Sequence, residues 1–106
     1  AHHPIDLHDP DSNKKTSGFL PVERDWLDKL EEHGYIDTYR YFNPEEVNYS
    51  WWSYRTKARE RDAGWRIDYH FVSEGLEDNL KNADILTGVM GSDHCPVTVS
   101  LDFDQA

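Results

Sequence analysis

The sequence predicts an α/β chain with its helices first and its strands second. Three observations predict it. Between Pro21 and His33 the apolar residues Val22, Trp26, Leu27 and Leu30 fall on one helical face. From Trp65 to Ser73 the side chains alternate with period two. Pro96 to Leu101 alternates in the same way. The length, 106 residues, sets the scale of about one domain. The apolar share is 37%, against roughly 45–50% for an average globular chain, so no large isolated core is expected.

Residues 1–18 read as loop, because Asp9-Pro10-Asp11-Ser12-Asn13 and Thr16-Ser17-Gly18 are turn-forming clusters. Pro21 suits the first turn of the helix that follows, and Gly34 suits its C-terminal stop. Tyr35 to Phe42 is aromatic-rich and ends before Asn43-Pro44, where the residue ahead of proline disfavours helix, so a short helix is expected there. Tyr49 to Tyr54 is β-prone and pairs in expectation with a strand over Trp65 to Ser73. That strand places Arg66, Asp68, His70 and Val72 on one face and Trp65, Ile67, Tyr69 and Phe71 on the other. Ser73 is a candidate cap for a short helix over Glu74 to Leu80. A strand at Ala83–Thr87, a loop at Gly88–His94 and the alternating strand at Pro96–Leu101 complete the order.

Eleven basic and 21 acidic residues give a formal charge of −10, which argues against a polyanionic partner. The distribution argues the other way. Lys14, Lys15, Arg55, Lys57, Arg59, Arg61 and Arg66 hold most of the positive charge in two short stretches, a pattern compatible with a local cationic patch. Four Trp, six Tyr and four Phe are too many aromatics for a disordered tail. A single cysteine, Cys95, excludes an internal disulfide and a zinc ribbon and makes a reducing, cytoplasmic setting the expectation. Apolar runs of two or three residues exclude a transmembrane helix. The opening Ala1-His2-His3-Pro4 has no initiator Met and no signal region, and reads as mid-protein sequence.

The sharpest chemical signal is Gly91-Ser92-Asp93-His94-Cys95-Pro96, a polar loop that delivers Asp93 and His94 side by side just before a strand. Loops on a sheet edge can aim side chains into a cleft while the strand fixes their position. The same tripeptide also serves as a turn whose Asp caps backbone amides. A second signal is Asp68, a carboxylate within an aromatic strand that needs a partner. His94 is one candidate, since a carboxylate accepting from one imidazole nitrogen fixes the tautomer and leaves the other nitrogen to face an anion. Arg66 or Arg59 in a structural ion pair is the other. His2, His3 and His8 have no fixed helical or strand spacing, so loop packing is their expected role. Glu31-Glu32, Glu45-Glu46 and the pair Asp102 and Asp104 read as solvated surface.

Several segments taken in order resemble a known family: Ala1-His2 with Ile5-Asp6-Leu7, Asn13-Lys14-Lys15 with Gly18-Phe19, Trp52-Ser53-Tyr54, Ala58-Arg59, Gly64-Trp65-Arg66-Ile67-Asp68-Tyr69 and Gly91 to Pro96. The resemblance is to the C-terminal portion of the exonuclease III family of abasic-site DNA endonucleases, within the DNase I-like fold. It implies half of a four-layered α/β sandwich, with residues 1–106 as the C-terminal half of one catalytic domain. It also implies that the family's Gly-Asp-x-Asn motif, metal-binding Glu, catalytic Tyr and first Asn belong upstream of Ala1. In activity it implies hydrolysis of the phosphodiester 5′ to an abasic site in duplex DNA, with trimming of 3′ ends. By resemblance, His94 contacts the scissile phosphate, Asp68 orients His94, and Asp93 ligates Mg²⁺, with Mn²⁺ as the alternative. Trp51 and Trp65 match walls of a pocket for a flipped-out baseless sugar, with Ile67 at its floor. Asn13 and Lys15 match phosphate contacts, although Thr16 stands where some relatives repeat an Asn. Arg55 and Arg59 belong to a loop that presses into the DNA minor groove.

Two rival readings stand beside this one. The first is a phosphoesterase of the same fold acting on a lipid or inositol phosphate. The second is a non-catalytic module that self-associates, because Ile67, Tyr69, Phe71, Val97, Val99 and Leu101 suggest an apolar sheet face left open unless a second copy covers it. On that argument a homodimer with background activity is expected.

Overall fold

The computed structural model describes residues 1–54 and 57–103. Two short 3₁₀ turns, Pro4–Asp6 and Pro10–Asn13, punctuate the opening loop. Then come α1 (Pro21–Glu32), β1 (Tyr35–Asp37), α2 (Thr38–Phe42), β2 (Phe71–Ser73), a 3₁₀ helix at Glu74–Asn79, β3 (Leu80–Ile85) and β4 (Val97–Leu101). The strands form two antiparallel pairs. In β1 and β2, Tyr35 faces Ser73 and Asp37 faces Phe71. In β3 and β4, Leu80 faces Leu101 and Ile85 faces Val97, with an irregularity between Leu80 and Asn82.

Helix α1 starts at proline as expected, and the Glu23 carboxylate accepts from the amides of Gly18 (2.7 Å) and Leu20 (3.2 Å) just ahead of it. It ends at His33 and Gly34, whose φ of +86° is the left-handed conformation that glycine adopts without cost. The Ser73 hydroxyl accepts from the Gly75 amide and opens the following turn, which tightens into a 3₁₀ helix.

Three expectations are corrected. Tyr35 to Asp37 is strand rather than helix, because its backbone pairs with β2 before Asp37 caps α2 by accepting from the Arg40 amide at 3.3 Å. Tyr49 to Tyr54 is no regular strand. Trp51 bridges to both Trp65 and His94 and the ladder goes no further. Residues 65–70 also leave the ladder, because a side chain takes over its role: the Ser50 hydroxyl accepts from the amides of both Ile67 and Asp68 at 3.2 Å. Arg66 is fully buried between two carboxylates.

The apolar residues gather in two clusters. One joins Tyr39, Tyr49, Trp52, Ala58, Ala83, Ile85 and Cys95; the other joins Ala1, Leu7 and Phe19, with Trp65 and Ile67 packed against it. Between them runs the ion network: Arg66 donates to Asp6 (2.8 Å) and Asp37 (2.5 Å), and Arg40 donates to Asp6 at 2.5 Å. The six residues expected to form an open sheet face are all half-buried. The more exposed apolar surface is on α1, where Val22 is 71% and Trp26 62% accessible beside Ile67 and Tyr69. No helix among the described residues is long and apolar enough to cross a membrane.

Candidate active site

Three backbone segments converge to build the site, and Ser50 holds them together. Its hydroxyl takes the amides of Ile67 and Asp68, its amide donates to the Trp65 carbonyl, and its carbonyl accepts from the Cys95 amide at 2.9 Å. Trp52 adds a bond to the Asp93 carbonyl at 3.0 Å. The segment carrying Asp68 and the loop carrying His94 are thus clamped to one buried residue. His94 Nδ1 lies 2.8 Å from Asp68 Oδ2, so the imidazole and not an arginine is the partner of that carboxylate. The side chains are 43% and 34% exposed, which leaves the His94 ring open to a ligand.

Asp93 sits beside this pair. Its Oδ2 accepts from the Trp51 indole at 3.2 Å, and its Oδ1 lies 3.4 Å from the Ser92 hydroxyl. The Ser92 hydroxyl in turn accepts from the His94 amide at 3.1 Å and tightens the turn. The indole of Trp51 meets that of Trp65 edge to face, with ring centroids 6.5 Å apart. Behind the two rings opens a cavity of about 590 Å³, lined by Asn13, Thr16, Trp51, Arg61, Trp65 and Ile67 among others. The dyad itself lies outside that lining, and Trp51 is the shared wall: one edge borders the cavity and its N–H reaches the loop of Asp93.

The structure therefore brings together Asp68, Asp93 and His94, and separately Asn13, Trp51, Trp65 and Ile67. Asn13 is tied within its own turn. Its amide donates to the Asp9 carbonyl at 2.8 Å and its oxygen accepts from Thr16 at 3.1 Å. Lys15 is exposed on the same loop. Arg55 lies outside the described residues.

The cationic run from Arg55 to Arg66 does not act as one patch. Arg66 is internal, and Arg59 stacks over Trp52 at 4.4 Å while donating to the carbonyls of Thr87, Val89 and Ser92. With its guanidinium spent on the chain's own backbone, Arg59 shapes the loop leading to Asp93 and His94 rather than standing free for a groove. Sequence reasoning missed Ser50, whose role is carried by backbone bonds that no spacing displays. It also missed His8, Asp9 and Arg61 in the cavity wall.

Loss of the Ser50 hydroxyl orphans two amides in a buried setting. Ser50→Ala is expected to cost about 1–3 kcal/mol, the usual penalty for unsatisfied buried groups. Its urea midpoint is expected to fall accordingly.

Comparison with known proteins places this geometry in context. The family model described as Endonuclease/Exonuclease/phosphatase family matches residues 1–94. The chain is 47% identical over 103 residues to an exodeoxyribonuclease of Bacillus subtilis, covering 96% of this chain and 41% of that protein. It is 46% identical over 106 residues to a DNA-(apurinic or apyrimidinic site) endonuclease of Dictyostelium discoideum, covering 98% of this chain and 29% of that protein. Among solved structures, an AP endonuclease from Leishmania major superposes with a TM-score of 0.90 at 32% identity, covering 98% of this chain and 33% of that one. A 3′ phosphatase from Neisseria bound to a product DNA hairpin gives 0.90 at 32% identity, over 97% of this chain and 42% of that one. The chain thus spans well under half the length of these relatives, and within that span it has their DNase I-like fold.

Proposed function

The chain belongs to the endonuclease/exonuclease/phosphatase family, and from that premise we propose that it forms part of a DNA repair nuclease that hydrolyses the phosphodiester 5′ to an abasic site and trims 3′ ends of duplex DNA. The observation that carries this reading is the shared wall. One indole, Trp51, borders the cavity on one side and bonds to the loop of Asp93 and His94 on the other. A deoxyribose without its base fits in this cavity against Trp51, Trp65 and Ile67, whereas an intact nucleotide must also accommodate its base. The phosphate of that sugar then falls toward His94.

In this reading His94 is the phosphate contact. Asp68 accepts a hydrogen bond from Nδ1–H, which orients the ring, and in the imidazolium form Nε2–H donates to a phosphate oxygen as charge develops on it. Asp93 suits a hard divalent cation: it is a half-exposed carboxylate with lone pairs beyond those facing Trp51 and Ser92. Mg²⁺, or Mn²⁺ in its place, takes one or two carboxylates and keeps its other positions for water and substrate. Bound there, such an ion supplies charge neutralisation at the phosphate. Asn13, in the cavity wall, and Lys15, exposed on the same loop, are assigned to flanking phosphates, and Arg55 to the groove.

A substrate panel tests the reading. The protein that carries this chain is expected to incise duplex DNA holding one abasic site in a reaction that EDTA abolishes. Turnover of inositol phosphates or a sphingolipid phosphodiester with no incision of that duplex overturns it in favour of the lipid or inositol phosphate reading.

A further inference from the structure

Outside the lining of the Trp51 cavity, the start of the chain meets the last turns of α1. His2 is almost fully buried there. Its Nε2 lies 2.6 Å from Asp28 Oδ1, while its Nδ1 lies 3.6 Å from Glu31 Oε1. The His3 ring stacks on it, with centroids 3.7 Å apart and planes 27° from parallel. One donor atom from each of His2, His3 and Glu31 falls within 4.8 Å of the other two. His8, grouped with these histidines by sequence alone, lines the Trp51 cavity instead.

The tautomer decides what this cluster can do. With Nε2–H donated to Asp28, a neutral His2 ring has its Nδ1 lone pair to offer a metal ion. That lone pair and the Glu31 carboxylate face each other across a gap too wide for a hydrogen bond. A metal ion between them would satisfy both. Metal bonds of about 2.0–2.1 Å at a tetrahedral angle set donor atoms ~3.3 Å apart, close to the 3.6 Å between His2 Nδ1 and Glu31 Oε1. The His2–Asp28 bond is itself the carboxylate–histidine pairing that orients a metal-binding imidazole. The nearby Arg24 guanidinium is engaged elsewhere, donating to the His2 carbonyl at 2.9 Å and lying over Phe19 at 4.3 Å. Asp25, Asp28 and Glu31 outweigh its charge.

We propose that His2, His3 and Glu31 bind a divalent transition-metal ion of the zinc type, with Asp28 as the outer carboxylate that orients His2. Two imidazoles and one carboxylate suit Zn²⁺ and disfavour Mg²⁺, so this site differs in chemistry from Asp93. The ion ties the opening segment to α1. His8, Asp9, Asn13, Thr16, Ser17, Gly18 and Glu23, which wall the cavity, lie between those two anchor points in sequence, so the ion braces the cavity without touching substrate.

Calorimetric titration of the protein with ZnCl₂ tests this, with the visible spectrum of a Co²⁺ complex as a second readout. One equivalent of Zn²⁺ is expected to bind and to raise the melting temperature, unaffected by millimolar MgCl₂. His3→Ala and Glu31→Gln, both at partly or fully exposed positions, are each expected to weaken binding at least tenfold, and Glu31→Gln does so with both histidines in place. His33→Ala, at the exposed end of α1, is expected to bind as the parent does. Absence of saturable Zn²⁺ binding, parental affinity in either His3→Ala or Glu31→Gln, or equal weakening by His33→Ala overturns the proposal.

Discussion

Replacing His94 by Ala is expected to lower abasic-site incision by the protein carrying this chain about 10²–10⁴-fold, the range over which a positioned proton donor or charge-stabilising group contributes. The expectation rests on the 2.8 Å contact of His94 Nδ1 with Asp68, which leaves the second ring nitrogen open to a ligand. Because the imidazole is 43% exposed, its removal opens no cavity, and the melting temperature is expected to stay within a few degrees of the parent. Asp68→Asn is expected to lower turnover less, since the ring remains and only its orientation is lost. Combined, the two substitutions are expected to cost no more than His94→Ala alone, the signature of residues that act as a unit. Full additivity in incision assays separates Asp68 from His94 and removes its positioning role.

The second large effect concerns stability. Arg66→Met is expected to destabilise the fold by about 3–5 kcal/mol, because breaking a buried ion pair strands its partners' charges. At this size that lowers the melting temperature by tens of degrees, at roughly 4–8 °C for each kcal/mol. Asp6 gives the effect its pH dependence. Burial alone drives its carboxyl upward, but the hydrogen bonds and charge of Arg66, with the charge of Arg40, outweigh this and hold it below its ordinary value of 3.8. A carboxyl depressed on folding adds stability that is complete above the unfolded value and disappears as pH falls through the folded one. The parent is therefore expected to lose stability below pH 3.8. In Arg66→Met the main force holding the proton off is gone, so its deficit is expected to narrow on acidification. Paired thermal melts across the acid range check the sign, and a deficit that grows as pH falls contradicts it.

The parts of the fold legible in the sequence are those whose cause is local. Helix α1 follows from Pro21, its apolar stripe and Gly34, and the 3₁₀ turn after Ser73 follows from a cap. Strand β4 follows from alternation. What failed to show was non-local pairing. Residues 65–70 alternate like a strand, yet Ser50, 17 and 18 residues away in sequence from Ile67 and Asp68, satisfies their amides with a hydroxyl. Arg66 looked like one more member of a basic run, and only Asp6 and Asp37, from two other segments, make its burial possible. Arg59 was read as a groove contact because a guanidinium is visible in a sequence and the three carbonyls that engage it are not.

The candidate site divides along the same line. Asp68, Asp93 and His94 were found because the Ser-Asp-His loop and a carboxylate within an aromatic stretch each raise a question that the other answers. Trp51 and Trp65 needed the resemblance, since a tryptophan in a strand is by itself as good a core residue as a pocket wall. The structure adds what neither supplied, the Trp51 indole bonded to Asp93 while its ring borders the cavity.

The central claim is that this cavity receives a sugar without its base. Competition binding of fluorescent duplex DNA carrying one stable abasic analogue, against the same duplex intact, tests it in the protein carrying this chain with Trp65→Ala alongside. The account predicts a preference of at least tenfold for the abasic duplex, reduced to near parity by Trp65→Ala with the affinity for intact duplex unchanged. Equal binding of the two duplexes by the parent, or a preference that survives Trp65→Ala, contradicts it.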